Sequence, residues 1–236
     1  MMRLHILGEG FTEKRFVENV LTGHLIKYNI ITDVCCFITK FIPETGQQFR
    51  GGISNYAKIK KDILNRISED NNKDCVFTTM IDFYGIPDDF PGVYTKSEAK
   101  NPYEKVKIIE NAFADDINDS RFIPYIQLHE FETLILSDPL KIAKVYIDYK
   151  NEVKQLQELS NRIPPEEIND GFASSPSHRI KHLIPSYNKA FAGGEIAKAI
   201  GIEVMRKKCP HFNEWITKLD KLGMNEHNTV FSESRE

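Results

Sequence analysis

Five carboxylates occupy positions from which chemistry could be done. Glu9 sits between Gly8 and Gly10 after the run Leu4-His5-Ile6-Leu7, and Glu13 follows four residues later. Asp82 closes the apolar run Cys75 to Ile81, while Glu130 and Glu132 follow the run Phe122 to Leu128. Carboxylate oxygens that converge on one point hold hard divalent cations such as Mg²⁺ or Mn²⁺. Such an ion orients an attacking water and neutralises charge on a phosphodiester. Glu13, one helical turn beyond Glu9, could ligate, hold a metal-bound water or act as a base. Arg179 and Lys181, after a Ser/Pro loop, are candidates to clamp a phosphate, arginine by bidentate contact and lysine as a point charge.

Other readings compete for the same residues. A dinucleotide-binding turn takes G-x-G-x-x-G, whereas here the third glycine is replaced by Glu13 and Glu9 puts negative charge where a phosphate would lie. Glu9 as a solvated loop residue, with Glu13 complementing a helix dipole, is the plainer alternative. Glu130 and Glu132 can face one ion if their segment is extended but not if it is helical. Asp138 before Pro139 reads as a helix cap, His129 as a structural histidine, Arg206-Lys207-Lys208 as a solvated face, and Trp215 with Phe212 and Leu219 as core.

The elements that must position the acids alternate. Leu4 to Leu7 reads as a buried strand, followed by Phe16, Val17, Val20, Leu21, Leu25 and Tyr28 at helical spacing. Ile30 to Thr39 is a second predicted strand; then comes a polar stretch with Gly46, Gly51 and Gly52. Ser54 is placed to cap a helix burying Tyr56, Ile59, Ile63, Leu64 and Ile67. Cys75 to Ile81 is the third strand and residues 83–100 a long loop. Asn101-Pro102 with Glu104 starts a helix burying Val106, Ile109, Phe113 and Ile117, and Phe122 to Leu128 is the fourth strand.

This alternation predicts an α/β fold with a mainly parallel four-stranded sheet flanked by helices. Glu9, Asp82 and Glu130 then lie beyond the carboxyl ends of their strands, on the edge where such sheets carry sites. Past Pro139 the pattern is helices and turns, with Gly193-Gly194 read as a break. The expected organisation is an α/β domain over residues 1–137, a helical C-terminal extension packed on it over 138–222, and a polar tail over 223–236.

A net charge of -3 over 236 residues leaves no global basic field, so any nucleic-acid contact has to come from a local basic patch, a metal ion or a basic partner. The 41% hydrophobic content argues against a disordered chain. No apolar run is long enough for a membrane helix, and no targeting segment is visible. Cys35, Cys36, Cys75 and Cys209 lack C-x-x-C spacing, which points to reduced thiols and a cytoplasmic protein, and against a structural zinc site.

Glu9-Gly10-x-Thr12-Glu13, Asp82 at a strand end and Glu130-x-Glu132 resemble the acidic positions of a TOPRIM-type, Rossmann-like domain over roughly the first 137 residues. More of the chain is similar to a bacterial family catalogued as domain of unknown function 4276. That similarity runs through the opening turn, Ile81-Asp82-Phe83-Tyr84-Gly85-Ile86-Pro87, Glu130-Phe131-Glu132-Thr133-Leu134, Ser175-Pro176-Ser177-x-Arg179-x-Lys181 and Cys209-Pro210-x-Phe212-x-x-Trp215.

The TOPRIM resemblance implies a metal-dependent phosphotransfer centre, as in topoisomerases, primases and the nuclease of the overcoming-lysogenization-defect group. There a glutamate after the first strand works with an Asp-x-Asp at the third. Glu9 matches the glutamate and Asp82 the first aspartate, but Tyr84 stands in place of the second. Asp88, Asp89, Glu130 or Glu132 would have to fill that gap. The resemblance implies Mg²⁺ or Mn²⁺ held by Glu9, Asp82 and Glu130 or Glu132, and cleavage of nucleic acid, DNA more than RNA, in phage defence or DNA processing. It also implies a partner ATPase, since related nucleases work with one, and the chain has no G-x-x-x-x-G-K-[ST] of its own. A non-catalytic nucleic-acid-binding or regulatory subunit is the alternative expectation, and a small-molecule phosphoesterase a third.

Overall fold

Leu4 and Ile6 bury against one face of a sheet and Leu7 against the other, the alternation of a strand with a core on both sides. They belong to β1 (Met2–Gly8) in a computed structural model, which describes residues 1–42, 47–50, 55–95, 99–168 and 174–230. A continuous helical run follows: α1 (Phe11–Phe16), a π-helical turn over Val17–Leu21, α2 (Thr22–Leu25) and a 3₁₀ turn over Ile26–Tyr28. The Thr22 hydroxyl donates to the Val17 carbonyl at 2.9 Å across the widened turn.

The second strand is shorter than the sequence predicts. β2 (Ile30–Cys36) pairs in parallel with β1, and the chain then leaves the sheet to form the antiparallel pair β3 (Ile38–Ile42) and β4 (Gln47–Arg50). The next helix, α3 (Tyr56–Glu69), is capped by Asn55, whose side chain accepts from the Lys58 N–H at 3.1 Å; Ser54 lies outside the described residues. β5 (Cys75–Asp82) pairs in parallel with β1 on its other side. Asn101 caps α4 (Pro102–Ile117) as expected, accepting from the Glu104 N–H at 2.9 Å.

The fourth strand is broken by Pro124, which has no N–H for the ladder. β6 (Phe122–Ile123) and β7 (Ile126–Gln127) both pair in parallel with β5 in one unbroken register, Phe77 opposite Phe122 and Asp82 opposite Gln127. Threonine side chains bridge the gap. The Thr79 hydroxyl lies 3.1 Å from the Tyr125 N–H and 3.0 Å from its carbonyl, and the Thr78 hydroxyl donates to the Ile123 carbonyl at 2.6 Å. The sheet order is β2-β1-β5-β6, so the strands ending in Glu9 and Asp82 are neighbours.

Helices cover both faces. α3 and α4 bury Ile59, Ile63, Val106, Ile109 and Phe113 on the side of Leu7, Phe77 and Ile81. The other face is covered by the α1–α2 run together with the C-terminal half of the chain. That half comprises α5 (Glu132–Ile135), α6 (Lys150–Arg162), α7 (Pro176–Leu183), α8 (Lys189–Ile200), α9 (Ile202–Lys208) and α10 (Pro210–Val230). Trp215 of α10 is core: its indole N–H donates to Thr78 at 3.0 Å and its ring stacks on Tyr125 at 4.1 Å. α10 continues into the stretch expected as a polar tail. It is tight against Tyr28 at Gly223, where an added Cβ would meet the Tyr28 carbonyl oxygen. Arg206 is not a solvated cation either, since it bonds Asn213 and Asp220 of α10, each at 2.8 Å.

Gly193 and Gly194 break nothing. Both lie inside α8, where it crosses α1 so closely that a Cβ would stand 2.8 Å from Thr12 Cγ2 at position 193 and 2.9 Å from Arg15 Cβ at 194. Gly194→Val is therefore expected to lower the unfolding free energy by about 2 kcal/mol through overpacking. Gly23→Ala, with nothing within 4 Å of the new methyl, should leave stability unchanged or raise it by about 0.5 kcal/mol through helix propensity. Urea unfolding of the two variants checks both.

Candidate functional site

The parallel register brings the ends of β1 and β5 together. The Glu9 N–H donates to the Met80 carbonyl at 2.9 Å, and the Glu9 carboxylate accepts from the Asp82 N–H at 3.0 Å. Gly85 passes directly over that carboxylate: a Cβ there would lie 2.5 Å from Glu9 Oε2 and 2.9 Å from Oε1. A glycine is the residue that tolerates such an approach. Glu13, in the first turn of α1, accepts from the Gly10 N–H at 2.9 Å through Oε2, which leaves Oε1 turned inward.

Lys189 is the group the sequence analysis did not single out. Asn188 caps α8 and makes Lys189 its first residue. Its ammonium stands 2.7 Å from Asp82 Oδ2, 3.2 Å from Glu13 Oε1 and 3.8 Å from Glu132 Oε2. Burial alone would lower its pKa, but Asp82, Glu132 and Glu13 together hold it well above the usual lysine range. The sequence carried only a weak signal: a lysine directly after an Asn cap faces the positive end of the helix dipole, a mismatch worth about 0.3–1 kcal/mol.

Glu130 and Glu132 diverge. His129 adopts a left-handed backbone (φ 61°), its ring bonded to the Glu166 carbonyl at 2.9 Å, and the chain turns there from β7 into α5. Glu130 swings to the N-terminus of α7, accepting from the Ser177 N–H at 2.8 Å and the Ser177 hydroxyl at 3.0 Å. Glu132, the first residue of α5, turns inward and is 1% exposed. Neither of its oxygens has a hydrogen-bond partner; the Tyr187 hydroxyl lies beside it without completing a well-formed bond. Asp82 Oδ1 is likewise buried and unbonded. Burial raises the carboxyls of Glu132, Asp82 and Glu9 above the ordinary range, Lys189 opposing it in each case.

The other expected residues lie apart from this cluster. Arg179 donates to the Ser174 carbonyl at 2.7 Å, and Lys181 is exposed on α7. The ion pairs to the buried acids run through Lys189 instead. Asp89 accepts from the Tyr56 N–H at 3.0 Å at the start of α3, Asp88 is exposed, and Asp138 precedes its 3₁₀ turn without a side-chain cap bond.

Among the described residues, no three histidine, cysteine or carboxylate side chains are arranged to hold a metal ion. The donor set nevertheless suits a hard divalent cation. Glu9, Glu13, Asp82 and Glu132 supply oxygens only, three of these residues keep buried oxygens without hydrogen bonds, and one ammonium is the counter-charge that contacts them. The family model described as "Domain of unknown function (DUF4276)" matches residues 8–220. Comparison with curated proteins and with solved structures gave no match.

The raised Glu132 carboxyl fixes the sign of a pH effect. The folded chain holds this proton more tightly than the unfolded one, so the contribution to stability is complete below the ordinary carboxylate range near pH 4 and is lost as pH rises through the raised value. Glu132→Gln should therefore raise the stability of the metal-free protein more at pH 8 than at pH 4. Urea unfolding in EDTA at the two pH values measures it.

Proposed function

We propose that this chain, which belongs to the family described as domain of unknown function 4276, is a TOPRIM-like, Mg²⁺- or Mn²⁺-dependent phosphodiester hydrolase acting on nucleic acid. The observation that carries the reading is Glu132: a carboxylate 1% exposed, with both oxygens unbonded, beside Asp82, Glu13 and Lys189 at the carboxyl edge of a parallel sheet. A buried carboxylate without hydrogen bonds is costly to keep, even with an ammonium 3.8 Å away. A bound divalent ion would remove that cost and would supply the Lewis acidity for attack on a phosphodiester.

Asp82, Glu9 and Glu132, with Glu13, would hold such an ion. Glu13 Oε1, whose other oxygen is fixed by the Gly10 N–H, is placed to accept a proton from water. Lys189 presents a point charge to a phosphate oxygen when it leaves Asp82, a role the sequence suggested for Arg179 and Lys181. Glu130, fully engaged by Ser177, anchors α7 at the rim. DNA as substrate, a partner ATPase, a place in phage defence or DNA processing, and a cytoplasmic setting are parts of the same proposal. Among the described residues no helix is long and apolar enough to cross a membrane.

One observation favours a second reading, a non-catalytic nucleic-acid-binding or regulatory subunit: the Lys189 ammonium already bridges three of the acids, and Tyr84 replaces the further aspartate. Thermal unfolding and cleavage assays separate the two. The hydrolase reading expects Mn²⁺ at a hundred times its dissociation constant to stabilise the wild type by about 2.7 kcal/mol, with the shift abolished in Asp82→Asn and Glu132→Gln. It expects plasmid or single-stranded cleavage, alone or with a partner ATPase, to fall by about a hundredfold or more in Glu9→Gln and Asp82→Asn. No Mn²⁺-dependent shift and no cleavage under any of these conditions would leave the binding subunit.

A further inference from the structure

Three of the four exposed aromatic rings among the described residues follow acidic-edge residues closely in the chain. Among the described residues the exposed aromatic side chains are Phe11 (58% exposed), Tyr84 (38%), Tyr94 (84%) and Phe191 (67%). Three of them stand two positions after a site residue: Phe11 after Glu9, Tyr84 after Asp82 and Phe191 after Lys189. Single exposed rings are ordinary, whereas rings that share one surface mark an interaction site.

Two of these rings share a surface. Phe11 and Arg15 are four residues apart on α1 and so lie on one face. Arg15 reaches across to α8, where Nη1 donates to the Ala190 carbonyl at 2.9 Å and the Phe191 carbonyl at 3.4 Å, while the guanidinium remains exposed. Gly193 and Gly194 make the crossing tight enough for this contact. The result is a seam carrying Phe11, a cation and Phe191, next to Lys189 and the carboxylates. It ends where Asn19 donates to Glu195 at 3.3 Å, one turn farther along both helices.

We propose that the α1–α8 seam binds single-stranded nucleic acid, with unpaired bases stacking on Phe11 and Phe191 and a backbone phosphate on Arg15, so that the strand is led to the carboxylates. This rests on the phosphodiester reading of the site and narrows its substrate to unpaired strands. Rings and a cation in alternation are the chemistry of single-strand recognition: every base offers a π-face, whereas in a duplex those faces are already stacked. Arg15 has donors left after its carbonyl contacts, which suits a phosphate.

Anisotropy of labelled oligo(dT), oligo(U) and a duplex of equal length, with the full chain in EDTA and again in Ca²⁺, tests this alongside a Mn²⁺ titration. Unpaired strands are expected to bind at least about tenfold more tightly than the duplex, and Phe11→Ala and Phe191→Ala should each weaken that binding about tenfold. Arg15→Gln should flatten the salt dependence, Tyr94→Ala should change nothing, and every variant should keep the wild-type Mn²⁺ titration. Equal binding of duplex and single strand, or phenylalanine variants that bind like the wild type, would overturn the seam; if Mn²⁺ binding and cleavage persist in that case, the hydrolase reading survives it. Stacking-dependent binding with no Mn²⁺ binding and no cleavage would support the seam and remove the hydrolase.

Discussion

A single ammonium offsets part of the negative charge gathered at the carboxyl edge of the sheet. Lys189 touches Asp82, Glu13 and Glu132, and without it three buried carboxylates would face one another with no counter-charge. Like charges in a dry site repel strongly, and removing one partner of a buried ionic group typically costs about 3–5 kcal/mol. The rest of the C-terminal half is arranged so that this lysine arrives where it does: Asn188 starts the helix, the glycine pair lets α8 press onto α1, and the core of that face locks both to the sheet.

The same site is under-satisfied by design of its backbone. Hydrogen bonds fix one oxygen of Glu9 and one of Glu13 and both of Glu130, while Glu132 and Asp82 Oδ1 are left bare. Structural ion pairs are usually completed by hydrogen bonds, and a set that stops short stores free energy which a ligand can release. The acids are thus divided by role: Glu130 holds the rim together and Glu132 waits in the interior, although the two are adjacent but one in the chain.

Much of the fold was legible in the sequence, because strand alternation, the Asn101-Pro102 helix start and the Glu9 and Asp82 strand ends are local patterns. What was not legible depends on tertiary contact. Pro124 splits the fourth strand, yet threonine hydroxyls on β5 preserve its register, which no local pattern of residues 122–128 reveals. Gly193-Gly194 resembles a helix break until α1 is seen against it. The division of Glu130 from Glu132 follows from the left-handed turn at His129, a conformation uncommon for a residue with a side chain. Lys189 joins the site from more than a hundred residues beyond Asp82 (|i−j| = 107), so only the folded chain reveals their contact.

Anomalous scattering from crystals grown with Mn²⁺ would show whether the acidic edge holds a divalent ion. A manganese peak is expected at about 2.1 Å from oxygens of Asp82 and of Glu9 or Glu132, with the Lys189 ammonium displaced from Asp82. Manganese confined to surface sites at concentrations that saturate binding, with Lys189 still bridging the three acids, would contradict that expectation.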